Sequence, residues 1–186
     1  MEKTNRAMQK LISGNQVYMR SDKNPADISP AVRLKTAVHG QHPYAAILTC
    51  SDSRVPPEHI FSAGIGELFV VRTAGNVVGG FELGSVEYAV EHLGVGLIVV
   101  MGHSQCGAVA AALAGDGHGY IGDIVHEIRL GLKGANDEET AIRNNIVHSK
   151  SRLMKSEIIR ASVLSGKTDI VCAVYHIDSG RVEFPD

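Results

Sequence analysis

The sequence predicts an α/β fold: a small, mostly parallel β-sheet of about four parallel strands plus an antiparallel edge strand, flanked by helices. Near-continuous apolar runs at 44–49, 68–72, 96–101 and 169–175 suit strands buried on both faces, as a parallel sheet requires. Between the second and third runs, Val86, Ala89, Val90 and Leu93 recur at i, i+3, i+4 and i+7, one face of a crossover helix that Gly94 is placed to end. The 20 glycines allow several tight strand-to-helix turns.

Taken in order, residues 1–20 read as a helix whose stripe of Ala7, Met8, Leu11, Ile12 and Val17 is interrupted by Gly14. Two packings are open to it, on a partner subunit as an arm or back on its own domain. Residues 21–30, with Pro25 and Pro30, read as a linker, and 31–38 as a short helix or turn. The arm and linker together span 1–35 of a chain expected to be one domain over 1–186. After Cys106, the small apolar residues 108–114 form a helix stopped at Gly115, and 115–119 is loop. Residues 136–164 read as one long helix, with Asn136 as cap, Asp137, Glu138 and Glu139 at the positive end of its dipole, and Gly166 closing it. Asp178-Ser179-Gly180 turns the chain into an antiparallel edge strand at 182–184.

A net charge of -2 and a pI near 6.5 provide no basic stripe for nucleic acid or an anionic membrane, so the expected partner is a small molecule. No segment is long and apolar enough to span a bilayer, and the polar start Met1-Glu2-Lys3-Thr4-Asn5-Arg6 lacks a secretory apolar core. Three cysteines are too few and odd in number for a disulfide framework. A cytoplasmic protein is the expectation.

Two loops carry the chemistry. Cys50-Ser51-Asp52-Ser53-Arg54 follows the first strand and His103-Ser104-Gln105-Cys106 the third, both at carboxyl ends, where ligands collect in open α/β sheets. Cys50, His103 and Cys106 supply two thiolates and an imidazole, the soft donor set that suits Zn2+ with a fourth position left for water. Asp52 and Arg54, two apart in an extended loop, can form a bidentate pair that keeps the carboxylate ionised. Asp52 can then either orient a hydroxide on the metal or become the fourth ligand itself. Each feature has a plainer reading: a strand-end cysteine as a small core residue, which is the reading given to Cys172, and an Asp–Arg pair as a loop clasp. His39, His42, His59, His92, His118, His126, His148 and His176 read as surface or capping residues. The stretch from Gly102 to Cys106 approaches a Gly-x-Ser-x-Gly nucleophile elbow, but with Cys106 where glycine is needed. Cys50 to Arg54 is too short for a cysteine-phosphatase loop. A Cys106–His103 nucleophilic pair would leave Cys50 unexplained.

The ordered motifs Cys50-Ser51-Asp52-Ser53-Arg54-Val55, Phe69-Val70-Val71-Arg72 with Ala74-Gly75-Asn76, Glu87-Tyr88-Ala89-Val90 and Gly102-His103-Ser104-Gln105-Cys106-Gly107 resemble the β-class carbonic anhydrases, over about 41–109. The resemblance implies one Zn2+ per subunit on Cys50, His103 and Cys106, with Asp52 and Arg54 as a catalytic dyad and Asp52 able to ligate zinc in a closed form. It implies reversible hydration of carbon dioxide to bicarbonate and a proton by a zinc-bound hydroxide, in a homodimer or higher homo-oligomer. Gln41, Phe69 and Tyr88 match positions lining the substrate cleft, partly from the second subunit; on pattern alone Phe69 and Tyr88 read as core. Two other functions fit the same residues: hydrolysis of carbon disulfide or carbonyl sulfide, and a non-catalytic zinc-stabilised binding protein.

Overall fold

The computed structural model describes residues 2–185. Its sheet has the order β2-β1-β3-β4-β5, from β1 (Ala45–Cys50), β2 (Leu68–Thr73), β3 (Leu97–His103), β4 (Asp169–Tyr175) and β5 (Val182–Glu183). The first four are parallel; β5 runs antiparallel, pairing Val182 with Tyr175 and Glu183 with Val174. Strand residues alternate between two buried layers, the reason for their unbroken apolar character. Ala46, Leu48, Ile98 and Val100 face one core with Val86, Ala89, Val109, Ile128 and Ile146. Ala45, Ile47, Leu97, Val99 and Met101 face the other with Leu11, Ile60 and Phe61.

Helix α1 (Glu2–Tyr18) folds back on its own sheet, burying Ala7 and Leu11 in this second core. The glycine that interrupts its stripe is what lets it dock. A Cβ on Gly14 would lie 1.9 Å from the backbone oxygen of Phe61, which no side-chain rotation relieves. At the next position, the buried Asn15 amide donates to Ile60 O (3.2 Å) and Gly180 O (2.8 Å) and accepts from Val182 N (2.9 Å), tying α1 to β5. Gly14→Ala should therefore destabilise, by about 1–3 kcal/mol for overpacking, against a gain of at most about 1 kcal/mol in helix propensity. A urea titration with an unchanged or raised midpoint would show that α1 does not dock this closely.

Helix α2 (Pro30–His39) is capped by Ser29, whose hydroxyl accepts from Val32 N at 3.2 Å, and Pro30 starts the helix rather than ending the linker. A four-residue turn, α3 (Pro57–Ile60), follows the first functional loop, and a 3-10 turn at Ala74–Asn76 follows β2. The crossover helix α4 (Gly80–Glu91) and the small apolar α5 (Gly107–Ala114) match expectation, and Gly115 is left-handed at φ 75°.

The expected single helix over 136–164 is two helices, α7 (Glu138–Leu153) and α8 (Glu157–Leu164). Ser156 breaks it: its hydroxyl accepts from Ile159 N at 3.1 Å, capping α8, and donates to Glu87 Oε1 at 2.6 Å. Asp137, not Asn136, caps α7 by accepting from Thr140 N at 2.8 Å. Helix α6 (Gly119–Gly131) begins at the last glycine of the expected loop. It escapes pattern reading because buried Val125 and Ile128 are matched by exposed Tyr120, Ile121 and Leu130, which blurs its apolar face. No described helix is long and apolar enough to cross a membrane.

Candidate metal centre

Strand order places β1 between β2 and β3, so the chain reverses direction across the sheet at the β1/β3 boundary, where a crevice opens at the strands' carboxyl ends. Cys50 ends β1, His103 ends β3, and Cys106 sits just before α5. Thr49 and Met101 pair across the boundary, and the Thr49 hydroxyl donates to Met101 O at 2.8 Å. The potential ligand atoms of Cys50, His103 and Cys106 all lie within 4.8 Å of one another, and all three residues are buried.

The donor set fits a soft divalent ion. His103 Nδ1 lies 2.9 Å from Ser104 O and so carries the proton, leaving the Nε2 lone pair facing the thiols. Nε2 itself is buried with no hydrogen-bond partner among the described residues, as expected of an atom reserved for a metal. Cys50 is poised as a thiolate. The facing Cys106 thiol holds it down to about 4, with His103 and the Gly75 N–H (3.2 Å from Sγ) adding to that against the pull of burial. The same proximity, with burial, pushes Cys106 up. Burial pulls His103 down, but its contacts with Cys50 and Ser104 outweigh that and raise it.

Asp52 and Arg54 form the expected bidentate pair: Arg54 Nε donates to Oδ1 at 3.0 Å and Nη2 to Oδ2 at 2.8 Å, and the Arg54 backbone N also donates to Oδ1 at 2.9 Å. The guanidinium holds the Asp52 carboxyl down to about 2. Arg54 also donates to Gln105 O (3.1 Å), joining the two loops. Asp52 Oδ2 stands 4.0 Å from His103 Nε2, beside the triplet.

Gln41, Phe69 and Tyr88 lie elsewhere in the chain. Phe69 pairs with Ala46, four residues and about 13 Å of strand rise from the Cys50 rim. Its ring is 6.2 Å from that of Tyr88, which is half-exposed on α4 and 5.0 Å from His92. Gln41 is exposed ahead of β1. Cys172 is half-buried in a groove of about 860 Å³ with Ile146, Met154 and Phe184, away from the triplet. His148 and His176 contact Glu127 (2.9 Å) and Glu183 (3.3 Å).

One contributor was not foreseen. Arg72, next to last in β2, donates through Nε to Cys50 O (2.9 Å) and through Nη2 to Asp52 O (2.5 Å), clasping the backbone of the first loop. Its signals in the sequence are a cation ending the apolar run Leu68-Phe69-Val70-Val71 and its place in the motif Phe69-Val70-Val71-Arg72, neither of which assigned it a role.

A buried Cys-His-Cys triplet beside a clamped carboxylate, at the switch point of a parallel sheet, defines an α/β protein built around a candidate metal site. The comparisons narrow the class. The sequence model described as carbonic anhydrase matches residues 45–182. Carbonic anhydrase 2 of Mycobacterium tuberculosis is 42% identical over 158 residues, covering 79% of this chain and 76% of that one. The β-carbonic anhydrase CcaA superposes with a TM-score of 0.75 at 30% identity, covering 96% of this chain and 95% of that one. One of two tetrameric β-carbonic anhydrases from Sordaria macrospora does so at 0.73 and 26%, covering 97% and 94%. The chain belongs to the β-carbonic anhydrase family.

Proposed function

We propose that the protein catalyses the reversible hydration of carbon dioxide to bicarbonate and a proton, with one Zn2+ per subunit held by Cys50, His103 and Cys106. The observation that carries this is the convergence of the three donor atoms within 4.8 Å, next to a carboxylate fixed by two guanidinium hydrogen bonds. When bound, zinc supplies the Lewis acidity that makes water nucleophilic near neutral pH. The protein's own groups orient the reaction. Asp52, kept ionised by Arg54, can only accept, so it takes a hydrogen bond from the attacking oxygen and aims its remaining lone pair at the carbon. Arg72 keeps the Asp52 main chain in place while this happens. In this paired arrangement both Asp52 oxygens are engaged by Arg54, so the residues that would hold a metal are Cys50, His103 and Cys106.

The working unit we infer is a homodimer or larger homo-oligomer of single-domain chains, with Gln41, Phe69 and Tyr88 of one subunit completing the cleft of another. Two observations support it. Helix α2 buries no residue in its own chain and leaves Leu34 69% and Val38 67% exposed, while Phe81 and Tyr120 stand 91% and 90% exposed. Further, the Sordaria macrospora relatives are described as tetrameric. The free thiols of Cys50, Cys106 and Cys172 fit a cytoplasmic setting.

Stopped-flow hydration of carbon dioxide by the zinc-loaded protein, with its sedimentation and metal content measured on the same sample, tests the proposal. A dimer or larger species carrying one zinc per chain and turning over carbon dioxide is the expected result. Hydrolysis of carbonyl sulfide or carbon disulfide far exceeding that turnover would reassign the substrate.

A further inference from the structure

Helix α7 carries two polar side chains one turn apart, Asn145 and Ser149, each 1% exposed in an otherwise apolar core. Both are aimed at the 3-10 turn Ala74–Asn76. The Asn145 Nδ2 donates to Gly75 O at 2.8 Å. Ser149 Oγ donates to Asn76 O at 2.8 Å and accepts from Asn76 Nδ2 at 3.2 Å. The turn they hold is an unusual one, with Gly75 and Asn76 both left-handed at φ 65° and 48°. It is also pressed from behind: a Cβ on Gly75 would lie 2.6 Å from Ile128 Cδ1 and 3.1 Å from Ala108 Cβ. The outcome of this conformation is that the Gly75 N–H points at Cys50 Sγ, 3.2 Å away.

Asn145 is a poor choice for stability alone. Its Oδ1 is buried with no hydrogen-bond partner among the described residues, so half of the amide is desolvated without compensation. A leucine there would carry no polar atom of its own, though it would leave Gly75 O without its donor. A half-satisfied core amide of this kind marks a residue kept for what its satisfied half does.

We infer that Asn145 is a positioning residue for the metal centre: by fixing the peptide after Gly75 it aims the Gly75 N–H at the Cys50 sulfur, and Ser149 locks the following peptide in the same pose. The inference rests on the metal reading of the triplet. An N–H donor draws charge from a thiolate. In a site with two thiolates that charge would otherwise go to the metal and weaken it as a Lewis acid. Asn145 thus acts on the centre through two intervening groups without touching a ligand.

Cobalt(II) loading tests this without relying on turnover, because the sulfur-to-cobalt charge-transfer band reports the electron density on the thiolates. Asn145→Leu should fold with thermal stability little changed, since it removes the unpartnered Oδ1 but leaves Gly75 O without its donor. Its band should move to longer wavelength, because a thiolate relieved of its N–H donor gives more charge to the cobalt. Asn145→Ala, which removes the donor altogether, should shift the band in the same direction. It also serves as the second variant if the leucine chain fails to fold, with Ser149→Ala as a third. Folded variants with an unshifted band would overturn the inference, as would a loss of thermal stability alone. Wild-type protein that takes up no cobalt would remove the metal reading itself, and this role with it.

Discussion

Cys106→Ser is expected to yield a folded protein that binds no zinc and hydrates carbon dioxide no faster than the buffer. The substitution suits the test because Cys106 occupies the residue just before α5, where serine is a preferred helix cap. The local fold therefore keeps its start while the soft donor is lost. What remains, Cys50 and His103, is a two-ligand set, short of the three protein donors that catalytic zinc sites use. Metal analysis, circular dichroism and stopped-flow kinetics on one preparation separate the outcomes. A folded variant retaining both zinc and activity would sink the assignment of Cys106 as a ligand.

Arg54→Ala should lower kcat/KM by about 100-fold, the scale associated with misplacing a reacting group by an ångström, while leaving zinc content intact. Its effect on stability at neutral pH should be no more than about 1 kcal/mol, as for other solvent-reached ion pairs, since the Arg54 side chain is 47% exposed. A large loss of activity with little loss of stability distinguishes a catalytic dyad from a loop clasp. The acid side gives a second readout. Asp52 is held down to about 2 in the folded state, against about 3.9 in the unfolded chain. A depressed carboxyl stabilises above its unfolded value, and that stabilisation is lost as pH falls through the folded one, so the pair contributes above about pH 4 and nothing below about pH 2. Arg54→Ala should flatten the pH dependence of unfolding in that window. An unchanged profile would mean that Arg54 does not hold the carboxylate.

The strands were legible to within one or two residues because their apolar runs carry little polar interruption, and the two loops at the ends of β1 and β3 stood out because their candidate chemistry is local to those ends. What the pattern hid is non-local or small. Ser156 splits the expected 136–164 helix with one hydroxyl, inside a stretch whose apolar spacing continues on both sides. Helix α6 shows apolar residues toward both core and solvent. Arg72, Gly75 and Asn145 act through backbone atoms distant in sequence, which no spacing rule reports. The docking of α1 on its own sheet turned on the absence of a Cβ at Gly14, a detail that reads in one dimension only as a broken stripe.

The boundary between β1 and β3 also sets an order of events in time. Cys50 and His103 are separated by more than fifty residues, with all of β2 and α4 between them, and they become neighbours only when β3 has crossed over to pair with β1. Once that ladder closes, the Thr49–Met101 pairing and the Thr49 hydroxyl bond hold the strand ends in place. On the proposed zinc reading, metal capture would follow closure of that ladder, at a rate set by how fast an ion reaches the finished cradle. Refolding followed by tryptic protection should run ahead of zinc uptake and at a rate independent of zinc concentration.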